Sequence, residues 1–266
     1  MQVYRGLPVL TNQPTGPAHL VGIWEPDHEA SVAEYAALAH AAVDEILGRS
    51  RTPVVAGGTG LYFRAALVDL GVPPPPAPGA REHWSRVYDR LGPDGAHAVL
   101  AERDPAAAAT VHPNDRRRVV RALELAQAGS SLRPRGDRLW TLETRRPTLV
   151  VGLDVPHDVL ARRIEERTRE MFRRGAADEA RAALRRQLSS TAAKVIGLHE
   201  AAELPEPEAI EAIALRTRRY AAYQRKWMRR LPGLASVRGD RPPSETAREV
   251  LDLAGRRKPL PARPAL

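Results

Sequence analysis

Three glycines surround one threonine in Gly57-Gly58-Thr59-Gly60, which follows the apolar run Thr52-Pro53-Val54-Val55-Ala56 and precedes Leu61-Tyr62-Phe63-Arg64. Glycine has no Cβ, so another group can approach the backbone closely there. A helix that begins after such a turn offers free N–H groups, which suit an anion. In open α/β sheets, ligands gather at the carboxyl ends of strands. Thr59 adds a hydroxyl and Arg64 a positive charge one turn into the helix. No Gly-Lys-Ser/Thr follows, so the run is not a Walker A loop. On local chemistry alone the same residues also read as a plain tight turn between a strand and a helix.

Arginine supplies the other candidate chemistry. In His112-Pro113-Asn114-Asp115-Arg116-Arg117-Arg118-Val119-Val120-Arg121-Ala122-Leu123-Glu124, either Asn114 or Asp115 suits a helix N-cap. Arg117 and Arg121 then share a face, with Arg118 beside them. Such a face can clamp nucleic-acid phosphates, or it can be a solvated surface paired with Glu124. A second run holds Arg162, Arg163, Arg167, Arg169, Arg173 and Arg174 interleaved with Glu165, Glu166 and Glu170. Most of these should form salt bridges, leaving one or two arginines for a site. A third run, Arg216 to Arg230, interleaves Tyr220, Tyr223 and Trp227 with basic residues. Its rings can stack on RNA bases, or their helical spacing can make one buried face.

The whole chain has 266 residues and a formal net charge of +9, with 41 Lys and Arg residues. Only Lys194, Lys226 and Lys258 are lysine. The positive sum fits a polyanionic partner; a GC-rich genome can account for the preference for arginine but not for the sum. There is no cysteine, which excludes disulfides and thiolate chemistry and is consistent with a cytoplasmic protein. The histidines show no metal-ligand spacing, so no histidine-held metal is expected, and no Ser-His-Asp elbow is present. Nothing resembles a membrane span or the apolar core of a signal peptide.

These residues need a scaffold. Ser31 to Leu47 reads as a capped amphipathic helix stopped by Gly48, with Ser31 and Glu34 in a capping-box pattern. With the strand expected at Thr52–Ala56 and a helix at Leu61–Leu70, the order is that of an α/β core with a parallel sheet. The proline-rich stretch from Val72 to Gly79 breaks it. Helices follow at 81–90, 94–102, 105–111 and 115–128, before a second buried strand at Thr148–Asp154. Beyond lie helices at 158–174, 176–187 and 208–230, and a last one at 244–254. The organisation expected is an incomplete α/β core over 1–75, an inserted helical lobe over 79–146, core continuation and basic helices over 147–255, and a disordered tail over 256–266.

Taken in order, these segments resemble the tRNA dimethylallyltransferases, also called isopentenyltransferases. Met1-Gln2-Val3-Tyr4-Arg5-Gly6 is similar to the end of that family's Asp-Ser-x-Gln-x-Tyr-x-Gly segment. Gly57 to Leu67 matches its Gly-Gly-Thr-Gly-Leu-Tyr turn, and His112 to Glu124 its His-Pro-Asn-Asp…Arg-Ala-Leu-Glu helix. Lys194-Val195-Ile196-Gly197-Leu198-His199-Glu200 resembles its Ala-Ile-Gly-Tyr-Lys-Glu segment, and Arg218 to Arg230 its basic Gln-x-x-Trp helix. The match runs from Met1 to about Arg230.

The resemblance implies a P-loop-NTPase-like, nucleotide-binding type of parallel-sheet core with an inserted all-helical lobe. It implies transfer of a dimethylallyl group from dimethylallyl diphosphate to the exocyclic amine of the adenosine 3′ of the anticodon, with Mg2+ held through the diphosphate. The partners implied are the tRNA anticodon stem-loop and the diphosphate donor, for a monomer in the cytoplasm. Thr59 would stand at the reaction channel. Arg167, with Arg64, would hold diphosphate. Gln2, Thr59, Arg81, Arg117, Arg118, Arg121, Lys194, Gly197 and His199 would contact tRNA. The family's first strand, its Gly-x-Thr-x-x-Gly-Lys-Ser/Thr loop and its catalytic Asp would fall before Met1 and are missing here. A start assigned too late, at an internal Met, would account for that, and the chain as it stands is expected to be inactive. Thr11-Asn12-Gln13-Pro14 and His199 also depart from the family pattern. Two alternatives remain: a non-catalytic tRNA-binding remnant and a small-molecule kinase with a helical cover.

Overall fold

The computed structural model describes residues 4–7, 16–71, 77–132 and 138–256. It divides into two compact units, one formed by Met1–Val68 with Trp140–Leu266 and the other by Asp69–Leu139. The helical unit therefore ends at Leu139, where the sequence suggested 146. Thr141 to Arg146 belongs with the first unit, because Arg145 N–H donates to Leu67 O at 2.7 Å and both Arg145 and Arg146 pair with Asp44.

The chain enters the first unit through Tyr4, buried and bridged in parallel to Trp24. Helix α1 spans Val32–Gly48, and its N-cap Ser31 accepts from Glu34 N–H at 3.1 Å. Helix α2 spans Gly60–Leu67. It packs on α1 through an edge contact of Tyr35 with Tyr62 and a 2.9 Å hydrogen bond between His40 Nε2 and Ala65 O.

Among the described residues the second unit holds three α-helices. Helix α3 spans Ala80–Arg103 and breaks in the middle, where Gly92 takes φ 72 and Pro93 follows; its two halves are the two helices read from the sequence. Helix α4 is the single turn Pro105–Ala108, capped by Asp104, and α5 is Arg116–Gln127, capped by Asp115. Trp84, Tyr88, Leu100, Val119 and Leu123 form their shared core.

Back in the first unit, strand β1 is Val151–Asp154, followed by α6 (His157–Arg173), α7 (Ala176–Leu184), α8 (Leu198–Glu203) and α9 (Glu206–Met228). Strand β2, Ala235–Arg238, pairs in parallel with β1, Val151 opposite Ala235, and α10, Pro243–Arg256, follows. Phe172, Ala176, Ala180, Leu198 and Ile213 form a core with Tyr4 and Trp24.

Two sequence expectations are corrected. Thr52–Ala56 is not a strand: among the described residues no neighbour supplies ladder hydrogen bonds, and Val54 is 87 % exposed. Conversely, β2 was not foreseen. Its four residues alternate, Ala235 and Val237 buried against exposed Ser236 and Arg238, but so short a pattern carries little signal. Of the expected tail, 256–266, Arg256 is instead the last residue of α10, and 257–266 lie outside the described residues.

Candidate functional site

The Gly57–Gly60 turn rests on α9. Thr59 is the N-cap of α2 by position, yet its hydroxyl caps nothing; Thr59 Oγ1 and Tyr220 Oη are hydrogen-bonded at 2.8 Å. A Cβ on Gly58 would overlap the Gln224 amide, and one on Gly60 would overlap the Trp227 indole, whereas Gly57 faces open space. None of the three has a positive φ, so close approach and not left-handed backbone calls for glycine at 58 and 60. What approaches is the protein's own helix, a cause that local sequence could not separate from an anion site or a tight turn.

Aromatic groups extend this contact. Trp227 meets Trp140 with ring centroids 4.9 Å apart and Tyr223 at 6.4 Å. The Arg230 guanidinium lies 3.9 Å from the Trp140 ring centroid, a cation–π distance. The reading of Tyr220, Tyr223 and Trp227 as one buried face is not met, because Tyr223 is 51 % exposed and the other two are only partly buried. Trp140 had no signal in sequence: it ends a single 3₁₀ turn, Arg138–Trp140, far along the chain from its partner.

Arg64 also differs from expectation. It is 1 % exposed, and its Nη2 donates to Thr141 O at 2.9 Å. Burial pushes its pKa down. Its guanidinium serves the packing of α2 against the 141–146 segment, so it offers no exposed cation to a diphosphate.

On α6 the division expected between salt-bridged and available arginines can be drawn residue by residue. Arg169 pairs with Glu165, and Arg173 and Arg174 both pair with Glu170, whose pKa they lower. Arg163 donates to Gly239 O at 2.7 Å. Arg162 and Arg167 are exposed and have no partner among the described residues. Helix α6 packs along α9, and Arg225 of α9 donates to Val155 O at the end of β1.

Lys194 ends the short 3₁₀ turn Ala192–Lys194, and Leu198 to Glu200 begin α8. Lys194 is only partly buried. Gly197 takes φ +94, a region L side chains rarely adopt, and its N–H donates to Glu200 Oε2 at 3.2 Å. Glu200 also pairs with Arg216 of α9. His199 Nδ1 lies 2.9 Å from Glu203 Oε1.

In the second unit, Arg81, Arg117, Arg118 and Arg121 fall on α3 and α5. Arg118 lies 3.6 Å from Asp115, and Arg116 pairs with Asp89. Arg81 and Arg121 share the carboxylate of Glu124 at 3.0 and 2.8 Å. Arg117 is exposed and has no partner among the described residues. Gln2 lies outside the described residues.

Among the described residues no group of three His, Cys, Asp or Glu side chains could hold a metal ion. No helix of the described residues is long and apolar enough to cross a membrane.

Comparisons with known proteins bear on these features together. The family model described as IPP transferase matches residues 2–231. A tRNA dimethylallyltransferase of Anaeromyxobacter dehalogenans (strain 2CP-1 / ATCC BAA-258) is 41 % identical over 263 residues, covering 94 % of this chain and 86 % of the relative. The solved tRNA isopentenylpyrophosphate transferase of Bacillus halodurans is 29 % identical with a TM-score of 0.63, covering 96 % of this chain and 84 % of its own. A eukaryotic dimethylallyltransferase acting on tRNA has a TM-score of 0.72 at 23 % identity, over 99 % of this chain and 74 % of its own, a likeness of fold. With its helix-rich α/β architecture and small parallel sheet, this chain belongs to the IPP transferase family, whose members are prenyltransferases.

Proposed function

We propose that this protein serves the dimethylallylation of tRNA, at the exocyclic amine of the adenosine 3′ of the anticodon. The observation that carries the reading is the Gly57–Gly60 turn held against α9, with the Thr59 hydroxyl fixed by Tyr220 at 2.8 Å, in a chain of this family. In the reaction the amine nitrogen forms a bond to the first carbon of the dimethylallyl group. The bond from that carbon to the diphosphate oxygen breaks, its electron pair leaves with diphosphate, and a base takes the amine proton. The adenosine must leave the anticodon stack to be reached.

Thr59 orients the amine at the channel mouth. Arg167, exposed and without a partner among the described residues, meets the negative charge that departs with diphosphate. Magnesium bound with the diphosphate would supply further screening of that charge. Arg81, Arg117, Arg118, Arg121, Lys194 and His199 hold the tRNA, and both substrates place the reaction in the cytoplasm. The 266 residues include no Gly-Lys-Ser/Thr phosphate loop, and on this reading residues 1–266 by themselves bind tRNA and do not transfer the prenyl group.

Labelled dimethylallyl diphosphate and unmodified tRNA test this reading. Residues 1–266 alone should incorporate no label. The same residues preceded by a phosphate-loop segment of the family's type should label a tRNA with adenosine 3′ of the anticodon and spare one with guanosine there. Label incorporated by residues 1–266, or none by the extended chain, would refute the reading.

A further inference from the structure

Glu124 of α5 is a buried acid among basic residues. Its side chain is 0 % exposed, while Arg81 and Arg121 beside it are 52 % and 21 % exposed. Each carboxylate oxygen is used: Oε1 accepts from Arg81 Nε at 3.0 Å, and Oε2 accepts from Arg121 Nη1 at 2.8 Å. A buried carboxylate is costly unless paired and hydrogen-bonded, and here two cations from two helices satisfy it, leaving the trio with a net positive charge. A second tie joins the same two helices, where Trp84 Nε1 donates to Gln127 Oε1 at 2.6 Å. Arg121 lies one turn from Arg117 on α5. The carboxylate thus sits beneath a cationic surface and fixes two of its members relative to each other.

We propose that Glu124 is a positioning residue for RNA: it holds Arg81 and Arg121 side by side in the geometry that grips adjacent tRNA phosphates. This rests on the reading that those arginines contact tRNA. The planar guanidinium binds phosphate best when its plane is set in advance, and a wandering Arg81 would have to be ordered at each binding event. Charge and geometry make opposite forecasts here. Removing an acid from beneath a phosphate-binding face adds a positive charge and, by attraction alone, tightens RNA binding. Losing the fixed geometry weakens it.

The test is titration of the 266-residue chain, and of its Glu124→Gln variant, with an unmodified tRNA transcript over a series of salt concentrations, alongside thermal melts. The variant should bind more weakly by about fivefold or more. Its plot of log affinity against log salt should be shallower by roughly 0.7–0.9 for each phosphate that is no longer neutralised. Equal or tighter binding with the parent's slope overturns the proposal. A purely structural role would lower the melting temperature and leave that slope unchanged. Glu124→Asp, which keeps the charge but withdraws it by one methylene, covers the case in which Glu124→Gln does not fold: it should also bind more weakly with a shallower slope, and parental binding overturns the proposal. If neither variant folds, Glu124 is a folding residue and the proposal fails. A parent chain that does not bind tRNA removes the underlying reading instead, a result separable from all of these.

Discussion

Gly58 and Gly60 touch side chains 160 and more positions away, and their chemistry follows from that proximity. Gly60→Ala would force its new methyl into the Trp227 ring, an overpacking that costs about 1–3 kcal/mol. Gly57→Ala meets open space and should stay within about 0.5 kcal/mol of the parent. Urea unfolding of the two variants checks the contrast; equal losses of stability would mean that packing on α9 is not what selects glycine. Asp44 offers a second residue-level prediction. Hydrogen bonds from Arg145, and then Arg146, hold its pKa at about 2, below its ordinary value of 3.8. The folded state thus binds the proton less readily than the unfolded chain. The stability that Asp44 gives is complete above about pH 4 and is lost as pH falls from there toward 2. Asp44→Asn should lower stability at neutral pH and flatten the acid limb of a stability–pH curve between those values. An unchanged limb would mean that the pair does not fasten α1 to the 141–146 segment.

Among the elements, those legible in the sequence were the ones that carry their own punctuation. Ser31 caps α1, Asp115 caps α5, and Gly92-Pro93 breaks α3. The apolar run at 52–56 was misleading because a strand exists only beside another strand, and local composition does not say whether one is there. The candidate site was legible to the same degree. Thr59 and the arginine faces were marked by type and spacing, but Tyr220, 161 residues from Thr59, and Trp140 were not, because only folding brings them near. Spacing marked the arginine faces, while the fold decides which of their members are already engaged. Replacing Arg117, Arg118 and Arg121 together with alanine should flatten the salt dependence of tRNA binding by roughly 0.7–0.9 in log–log slope for each phosphate left without its cation. Arg117, which has no partner among the described residues, should account for more of the change than Arg118, which leans on Asp115. Identical slopes for the triple variant and its parent would make the face a merely solvated one.

Across the whole molecule, protection is uneven. Tyr4, Phe172, Ala180, Leu198 and Ile213 are sealed in one core, and Trp84, Leu100, Val119 and Leu123 in another. Helix α10 has no buried residue, Leu251 is 71 % exposed, and the helix lies beyond the 2–231 span of the family match. A helix with so little burial opens at little cost. Its amides should exchange with deuterium well before those of α9, and removing residues 243–256 should shift the melting temperature by no more than about 2 °C. Protection of α10 equal to that of α9 would show that it is held by more than its packing on β2.

Val54 has a consequence for how the protein behaves in a tube. The irregular backbone around it makes no backbone hydrogen bond among the described residues, and its apolar side chain is 87 % exposed. That is the description of an adhesive edge, at which a second molecule can add its own extended backbone. The chain's net charge of +9 keeps molecules apart at low salt and does so less as salt screens it. Turbidity should therefore rise with salt and with protein concentration together. Val54→Glu lowers the net charge by one and, if charge alone governed solubility, would make matters worse. If the edge governs, the variant should stay clear in light scattering at salt concentrations where the parent clouds.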